Sequence, residues 1–384
     1  MNQTKRIGIL TSGGDCPGLN AILYAVLKYA GILGWSIYGI ANGTDGFIDI
    51  ALDRSAPEDM RIDEHSFDIP GQKGMGVLLF LSGSVLGCRG KKERKNQEDE
   101  LISQGYRKMN LDALIAIGGD GSLEIISQLA QRGNWNLVAI PKTIDNDVPG
   151  TERVVGFDTA VEVVSDALYN LTFTAASHDR IMLVQVMGRN AGHLALNAGI
   201  AGGADVILIP ELVPIINDRV VRETCRKIAH IRQHKRKFAL IVVAEGVQGN
   251  SKDEPSVEHL KRQLQQYSHS QDGILAPEFY GLGEEMEIRV TILGHLTRSN
   301  RPTASDRLLA TAFGIKAIEV IAREQDNNFQ RMIILQNGQV SDRPLVEVMR
   351  ELKTAKVYSA CASPVDSNGF VAHVARSLDI YLGD

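Results

Sequence analysis

The stretch Ile7-Gly8-Ile9-Leu10-Thr11-Ser12-Gly13-Gly14-Asp15-Cys16-Pro17-Gly18-Leu19-Asn20 decides the fold. A short apolar run, Ile7–Leu10, ends in a paired-glycine loop, and beyond the loop apolar residues recur at helical spacing from Leu19 to Leu33. A strand covered on both faces reads as an unbroken apolar run, and a strand that passes into a helix through a glycine loop opens a βα unit. Working outward, the same unit recurs. Further strands are expected at Trp35–Ile40, Ala113–Ile117, Leu137–Ile140, Ile181–Val186, Val206–Ile209, Phe238–Val243, Glu287–Leu293 and Met332–Leu335. Helical patterns fall between them at Ser122–Arg132, Thr159–Phe173, Ala191–Ala201, Asp218–Gln233 and Ala304–Arg323. This alternation predicts an open α/β architecture with mostly parallel sheets. Ligands of such sheets bind beyond the carboxyl ends of the strands, so the loops that follow the apolar runs are the ones to read for function.

A chain of 384 residues should hold about two domains of roughly 150 residues each. With 44% hydrophobic and 23% charged residues it suits a globular protein with a substantial core. The net charge of −5 gives no support for a nucleic-acid or membrane-surface partner, so an anionic ligand must be held by a local group of cations. Cys16, Cys88, Cys225 and Cys361 form no C-x-x-C pair, which fits a reducing, cytoplasmic setting. Met1–Leu10 does not read as a signal peptide, and apolar runs such as Phe238–Ala244 are too short to span a bilayer. Neither a short-period repeat nor a low-complexity linker is visible, and the polar stretch from Gly249 to Asp272 reads as surface helix and loop.

Three strand-end loops can carry phosphate chemistry: Thr11–Asn20, Gly118-Gly119-Asp120-Gly121-Ser122, and Pro141-Lys142-Thr143-Ile144-Asp145-Asn146-Asp147. Glycines let a phosphate reach backbone N–H groups, and a helix N-terminus adds donors and partial positive charge. A tight turn is the plain alternative for Gly13-Gly14. There is no Walker-type G-x-x-x-x-G-K-[ST] and no G-x-G-x-x-G behind a strand, which weakens a dinucleotide reading. Asp120 can hold Mg²⁺ against phosphates, with an N-cap or turn role as the plain alternative. Asp145 and Asp147, two apart, point alike if their segment is extended. Val186-Met187-Gly188-Arg189 and Gly294-His295-Leu296-Thr297-Arg298 each bring an arginine to a strand end, and Arg180 and Arg289 lie at or within apolar strands. Guanidinium groups so placed can grip a phosphate with paired hydrogen bonds.

Taken in order, Thr11–Asn20, Gly118–Ser122, Pro141–Asp147, Val186–Arg189 and Gly294–Arg298 resemble the signature loops of the phosphofructokinase A family, over about Ile7 to Arg307. The resemblance implies two similar Rossmann-like domains with the active site in the cleft between them: a nucleotide-binding domain of 1–157 with 298–346, and a fructose-6-phosphate-binding domain of 158–297 with 347–384. It implies Mg²⁺-dependent phosphoryl transfer from ATP to the 1-hydroxyl of fructose 6-phosphate. Gly13, Arg89, Gly90, Gly119, Asp120, Gly121, Ser122 and Lys142 would bind the nucleotide, with Asp120 as the metal ligand. Asp145 would be the general base, supported by Thr143 and Asp147, and Arg189 would steady charge on the transferring group. Met187, Gly188, Glu245, His295 and Arg298 would hold the sugar, together with Thr143, Asp145 and Arg189. Arg180 and Arg289 would reach its 6-phosphate from a neighbouring subunit, which implies a homo-oligomer, by family habit a tetramer.

Some positions depart from that pattern. Gly121 is the residue of ATP users, whereas Lys142 is that of pyrophosphate users; steric exclusion at 121 is the harder constraint, so ATP is expected and pyrophosphate is the alternative. Many ATP users carry arginine where Gly90 stands, and Arg89 or Lys91 would have to substitute. Gly83-Ser84 and Ser299-Asn300 also differ from the common residues. Tyr24, Lys28 and Asp205 alter the positions that hold effectors and their metal in bacterial members, so the usual effector response is not expected. The basic stretch Arg222–Lys237 reads as a solvated helix face with an anionic effector as the alternative, and His230 and His234 lack a third metal ligand. A lipid or NAD kinase shares Gly-Gly-Asp-Gly but does not account for the other loops. A non-catalytic paralogue that binds sugar phosphate is a third reading, motivated by the altered Val85–Lys91 loop.

Overall fold

A computed structural model describes residues 4–63, 65–67, 75–88, 96–249, 254–269, 287–324, 326–358, 361 and 363–384. The strands among them are β1 (Arg6–Ser12), β2 (Ser36–Gly39), β3 (Arg61–Ile62), β4 (Ala113–Gly118), β5 (Leu137–Pro141), β6 (Ile181–Val186), β7 (Val206–Leu208), β8 (Ala239–Ala244), β9 (Ile288–Ile292), β10 (Gln330–Gln336) and β11 (Gln339–Pro344). The α-helices are α1 (Leu19–Ile32), α2 (Asp45–Ala51), α3 (Asn96–Met109), α4 (Asp120–Gly133), α5 (Phe157–Ser177), α6 (His193–Ala201), α7 (Asp218–Gln233), α8 (Ser256–His269), α9 (Ala304–Arg323), α10 (Leu345–Tyr358) and α11 (Phe370–Ser377). The chain divides into two compact units, Met1–Thr159 with Arg298–Tyr358, and Ala160–Thr297 with Ser359–Asp384.

The first unit is built on a seven-stranded sheet in the order β11-β10-β5-β4-β1-β2-β3. Its inner strands β10, β5, β4, β1 and β2 are mutually parallel. Every residue of β4 and β5 is buried, the reason their sequences are continuously apolar. Two antiparallel edges lie outside the expected set. β3 is two residues long, and β11 is a polar strand turned back on β10 through Asn337-Gly338, both in the left-handed region. That Asn-Gly pair is the hairpin signal a reading for apolar runs passes over. Register matters most at the other end of the strands. Ser12 lies beside Gly118, and Gly118 beside Pro141, so β1, β4 and β5 finish level and deliver their three loops to one edge.

The second unit carries the parallel sheet β7-β8-β6-β9. Here Val186 pairs with Ala244, so β6 and β8 also end level. The long polar stretch expected to be surface helix and loop contains α8, whose Val257, Leu260 and Leu264 are buried.

One buried carboxylate ties three turns of the first unit together. Asp306, in the first turn of α9, accepts from Gly156 N at 2.9 Å, Thr159 N at 2.8 Å and Thr159 Oγ1 at 2.5 Å, and so caps the start of α5. Its own backbone N–H donates to Thr303 Oγ1, the N-cap of α9. Burial pushes the Asp306 carboxyl up, and these donors oppose the shift. Asp306→Ala would leave two buried N–H groups and a hydroxyl unpaired, each costing about 1–3 kcal/mol. We expect a loss of about 3 kcal/mol in the unfolding free energy, read as a lower urea midpoint at unchanged slope.

Candidate active site

The first unit holds Gly13, Gly119, Asp120, Gly121, Ser122 and Lys142, the described members of the set expected to handle a phosphoryl donor. Gly13 follows β1 with φ of +86°, a conformation that L side chains rarely adopt. A Cβ at Gly13 would stand 2.8 Å from Ser122 Oγ and 3.6 Å from Lys142 Nζ, so this glycine keeps open a space between the loop after β1, α4 and the loop after β5. Asp120, read from the sequence as a loop residue, is the first residue of α4 behind the N-cap Gly119. Gly121 and Ser122 complete that first turn. The helix N-terminus thus presents backbone donors at the same edge as Gly13.

The loop around Gly13 is held from several sides. Lys142, buried just beyond β5, donates from Nζ to Gly14 O. Arg298 donates from Nη1 to Asp15 O at 2.7 Å. Thr11 Oγ1 bonds Gly87 O at 2.6 Å and Ser84 Oγ at 2.7 Å. Asn20 is buried, gives its amide to Leu81 O and Gly83 O, and accepts from Val85 N at 2.9 Å. Thr11 and Asn20 therefore shape the segment that leads to Arg89, Gly90 and Lys91, which lie outside the described residues. The sequence places both at the ends of the Thr11–Asn20 loop but gives neither a role of its own, because a threonine and an asparagine at helix and strand ends read as turn residues.

Thr143, Asp145 and Asp147 are all buried. The Asp145 N–H donates to Thr143 Oγ1 at 3.1 Å. The expectation that Asp145 and Asp147 point alike along extended chain does not hold. Asn146 between them is left-handed, with φ of +51°, and β5 has already ended at Pro141. The turn is fixed by the Asn146 side chain, which accepts from Val154 N and donates to Glu152 O, both at 3.1 Å. Among the described residues no group of three or more His, Cys, Asp or Glu side chains is arranged to hold a metal. A single hard carboxylate at a helix start, as at Asp120, suits Mg²⁺, which keeps waters and takes phosphate oxygens for most of its shell.

In the second unit, Met187, Gly188 and Arg189 follow β6, with Gly188 and Arg189 both at positive φ. Glu245, next after β8, accepts the Arg189 N–H on Oε1 at 2.8 Å. Glu211, which the sequence did not single out, accepts from Gly192 N at 2.9 Å and Val365 N at 3.0 Å and anchors the far side of the same loop. His295 is exposed on the short 3₁₀ turn Gly294–Arg298.

Arg180 and Arg289 meet at Glu287, at 2.8 Å from Nε and 2.5 Å from Nη2. The Arg180 hydrogen bond, and then that of Arg289, hold the Glu287 carboxyl below the usual range. Glu287 thereby holds the two guanidinium groups side by side. Both arginines lie at the start of β6 and β9, whereas Met187–Arg189 lie past the end of β6. A six-residue strand, about 20 Å at 3.3 Å per residue, separates them, so this unit does not bring the two groups together.

The phosphofructokinase family model matches residues 6–321. ATP-dependent 6-phosphofructokinase 2 of Nostoc sp. is 44% identical over 396 residues, 99% of each chain, and the ATP-dependent 6-phosphofructokinase of Thermosynechococcus vestitus is 44% identical over 385 residues, 100% of this chain and 94% of that one. The chain belongs to the phosphofructokinase family. Among solved structures, Saccharomyces cerevisiae phosphofructokinase aligns with a TM-score of 0.78 at 25% identity, covering 98% of this chain. The chain spans 48% of that yeast chain. Pyrophosphate-dependent phosphofructokinase from Nitrosospira multiformis shares the fold, with a TM-score of 0.72 at 19% identity, over 100% of this chain and 93% of that one. As a phosphofructokinase, the chain keeps Asp205 buried, with its carboxylate accepting Leu240 N at 2.9 Å and paired with Arg236. No described helix is long and apolar enough to cross a membrane.

Proposed function

We propose that this phosphofructokinase transfers the γ-phosphoryl group of ATP to the 1-hydroxyl of fructose 6-phosphate, giving fructose 1,6-bisphosphate and ADP. The observation that carries the reading is the level ending of β1, β4 and β5, which sets the Gly13, Asp120 and Asp145 loops side by side. Phosphoryl transfer asks chiefly for positioning and charge neutralisation. Gly13 and the start of α4 offer N–H donors to the polyphosphate. Asp120 would hold Mg²⁺, which when bound neutralises phosphate charge. Asp145 accepts the proton of the attacking hydroxyl, with Thr143 and Asp147 shaping its turn. Met187, Gly188, Arg189, Glu245, His295 and Arg298 take the sugar. Arg189 steadies charge on the transferring group.

The separation of Arg180 and Arg289 from Met187–Arg189 supports the reading that they serve the 6-phosphate bound by a second copy, in a homo-oligomer such as a tetramer. The commitment of the Lys142 ammonium to Gly14 O supports ATP over pyrophosphate, because the pyrophosphate-type residue is occupied within the protein. Initial rates with ATP and with pyrophosphate, at equal Mg²⁺ and fructose 6-phosphate, test the donor. ATP should win by at least about tenfold, a difference of about 1.4 kcal/mol in the transition state. A reaction driven by pyrophosphate alone would overturn the donor, and none with either donor would leave the non-catalytic reading.

A further inference from the structure

Lys142 is the one lysine or arginine classed as buried among the described residues, at 2% exposure. Keeping an ammonium away from water is costly unless a good acceptor meets it. Here the acceptor is a main-chain carbonyl, Gly14 O, and the next carbonyl along, Asp15 O, is held by Arg298. The peptide group is planar and trans, so its N–H points opposite to its C=O. Drawing Gly14 O towards Lys142 turns the Asp15 N–H the other way, and drawing Asp15 O towards Arg298 does the same for the Cys16 N–H. A backbone N–H turned away from the protein's own cations is a donor that an anion can take. Lys142 is itself anchored: its backbone N–H donates to Gly118 O at 3.0 Å, and it bridges to Val155.

We propose that Lys142 is a positioning residue for the phosphoryl donor, fixing the Gly14–Asp15 peptide so that its N–H faces the polyphosphate, rather than touching a phosphate itself. The proposal rests on the ATP-kinase reading. It assigns the buried ammonium to ATP affinity and leaves turnover and sugar binding to other residues. The charged and titratable groups that act on it are Cys16 and Asp15 on the loop after β1, Cys88 and Arg298. Burial pushes the Lys142 ammonium down from its ordinary value, while the Cys16 thiol is pushed up to about 12 by its own burial.

Steady-state kinetics with Mg-ATP and fructose 6-phosphate test this on wild type and Lys142→Met. The variant should raise the KM for ATP about tenfold, equivalent to about 1.4 kcal/mol, with kcat and the KM for fructose 6-phosphate within about twofold and the rate with pyrophosphate unchanged. An unchanged KM for ATP, or a changed rate with pyrophosphate, overturns the proposal. Wild type gives a second measurement that does not depend on the variant folding. Its KM for ATP should rise as pH goes from 7 towards 10 while that for fructose 6-phosphate stays level, and a flat KM for ATP counts against the role. Wild type that fails to consume ATP at all refutes the kinase reading instead.

Discussion

Asp145→Asn is expected to lower kcat by about 10²–10⁴-fold, the usual contribution of a general base, with fructose 6-phosphate affinity nearly unchanged. The substitution keeps shape and most hydrogen bonding. Asp145 is 3% exposed and its backbone is tied to Thr143 Oγ1, so an asparagine should stand in the same place. What it loses is the ability to accept a proton as the sugar oxygen attacks. Calorimetric titration with fructose 6-phosphate alongside steady-state rates separates the two effects. A variant that turns over near the wild-type rate removes Asp145 from the base role, and one that fails to bind sugar makes it a binding residue.

Gly13→Val is expected to raise the KM for ATP by about 10–100-fold while sparing sugar binding. Forcing a side chain into the left-handed region costs about 1–2 kcal/mol, and valine, branched at Cβ, is poorly suited to it. The new Cβ would also press on Ser122 Oγ at 2.8 Å, displacing the first turn of α4 from the loop it faces. At about 1.4 kcal/mol per tenfold, strain and crowding together account for the range. Measured ATP affinity equal to wild type would show that the space kept open by Gly13 is not used by the donor.

The central strands of both units were legible because burial on two faces leaves an unbroken apolar signature, and β6, α7 and α9 fall at the bounds the sequence gives. β11 was not, because a half-buried, polar edge strand such as Gln339–Pro344 carries no such run. α3 was passed over, its amphipathic face diluted by charge as in Asn-Gln-Glu-Asp-Glu, and α8 was read without bounds, as part of a polar stretch of surface helix and loop. In the candidate site, glycines and acidic residues at strand ends were readable by type. Their supports were not. Asn20, Glu211 and Asp306 act through backbone N–H and C=O groups far away in sequence, and no local pattern marks such partners. The left-handed Asn146 shows the same limit, since alternation along an extended chain is no guide once the strand has ended.

The claim on which the account stands is that ATP phosphorylates the sugar at carbon 1. The most direct measurement is ³¹P magnetic resonance of purified protein mixed with Mg²⁺, ATP and fructose 6-phosphate. The account predicts that the γ-phosphoryl signal disappears as ADP and a second phosphomonoester, on carbon 1 of fructose 1,6-bisphosphate, grow in equal amounts. A spectrum in which ATP and fructose 6-phosphate persist unchanged, or in which the phosphoryl group leaves only as inorganic phosphate, would contradict it.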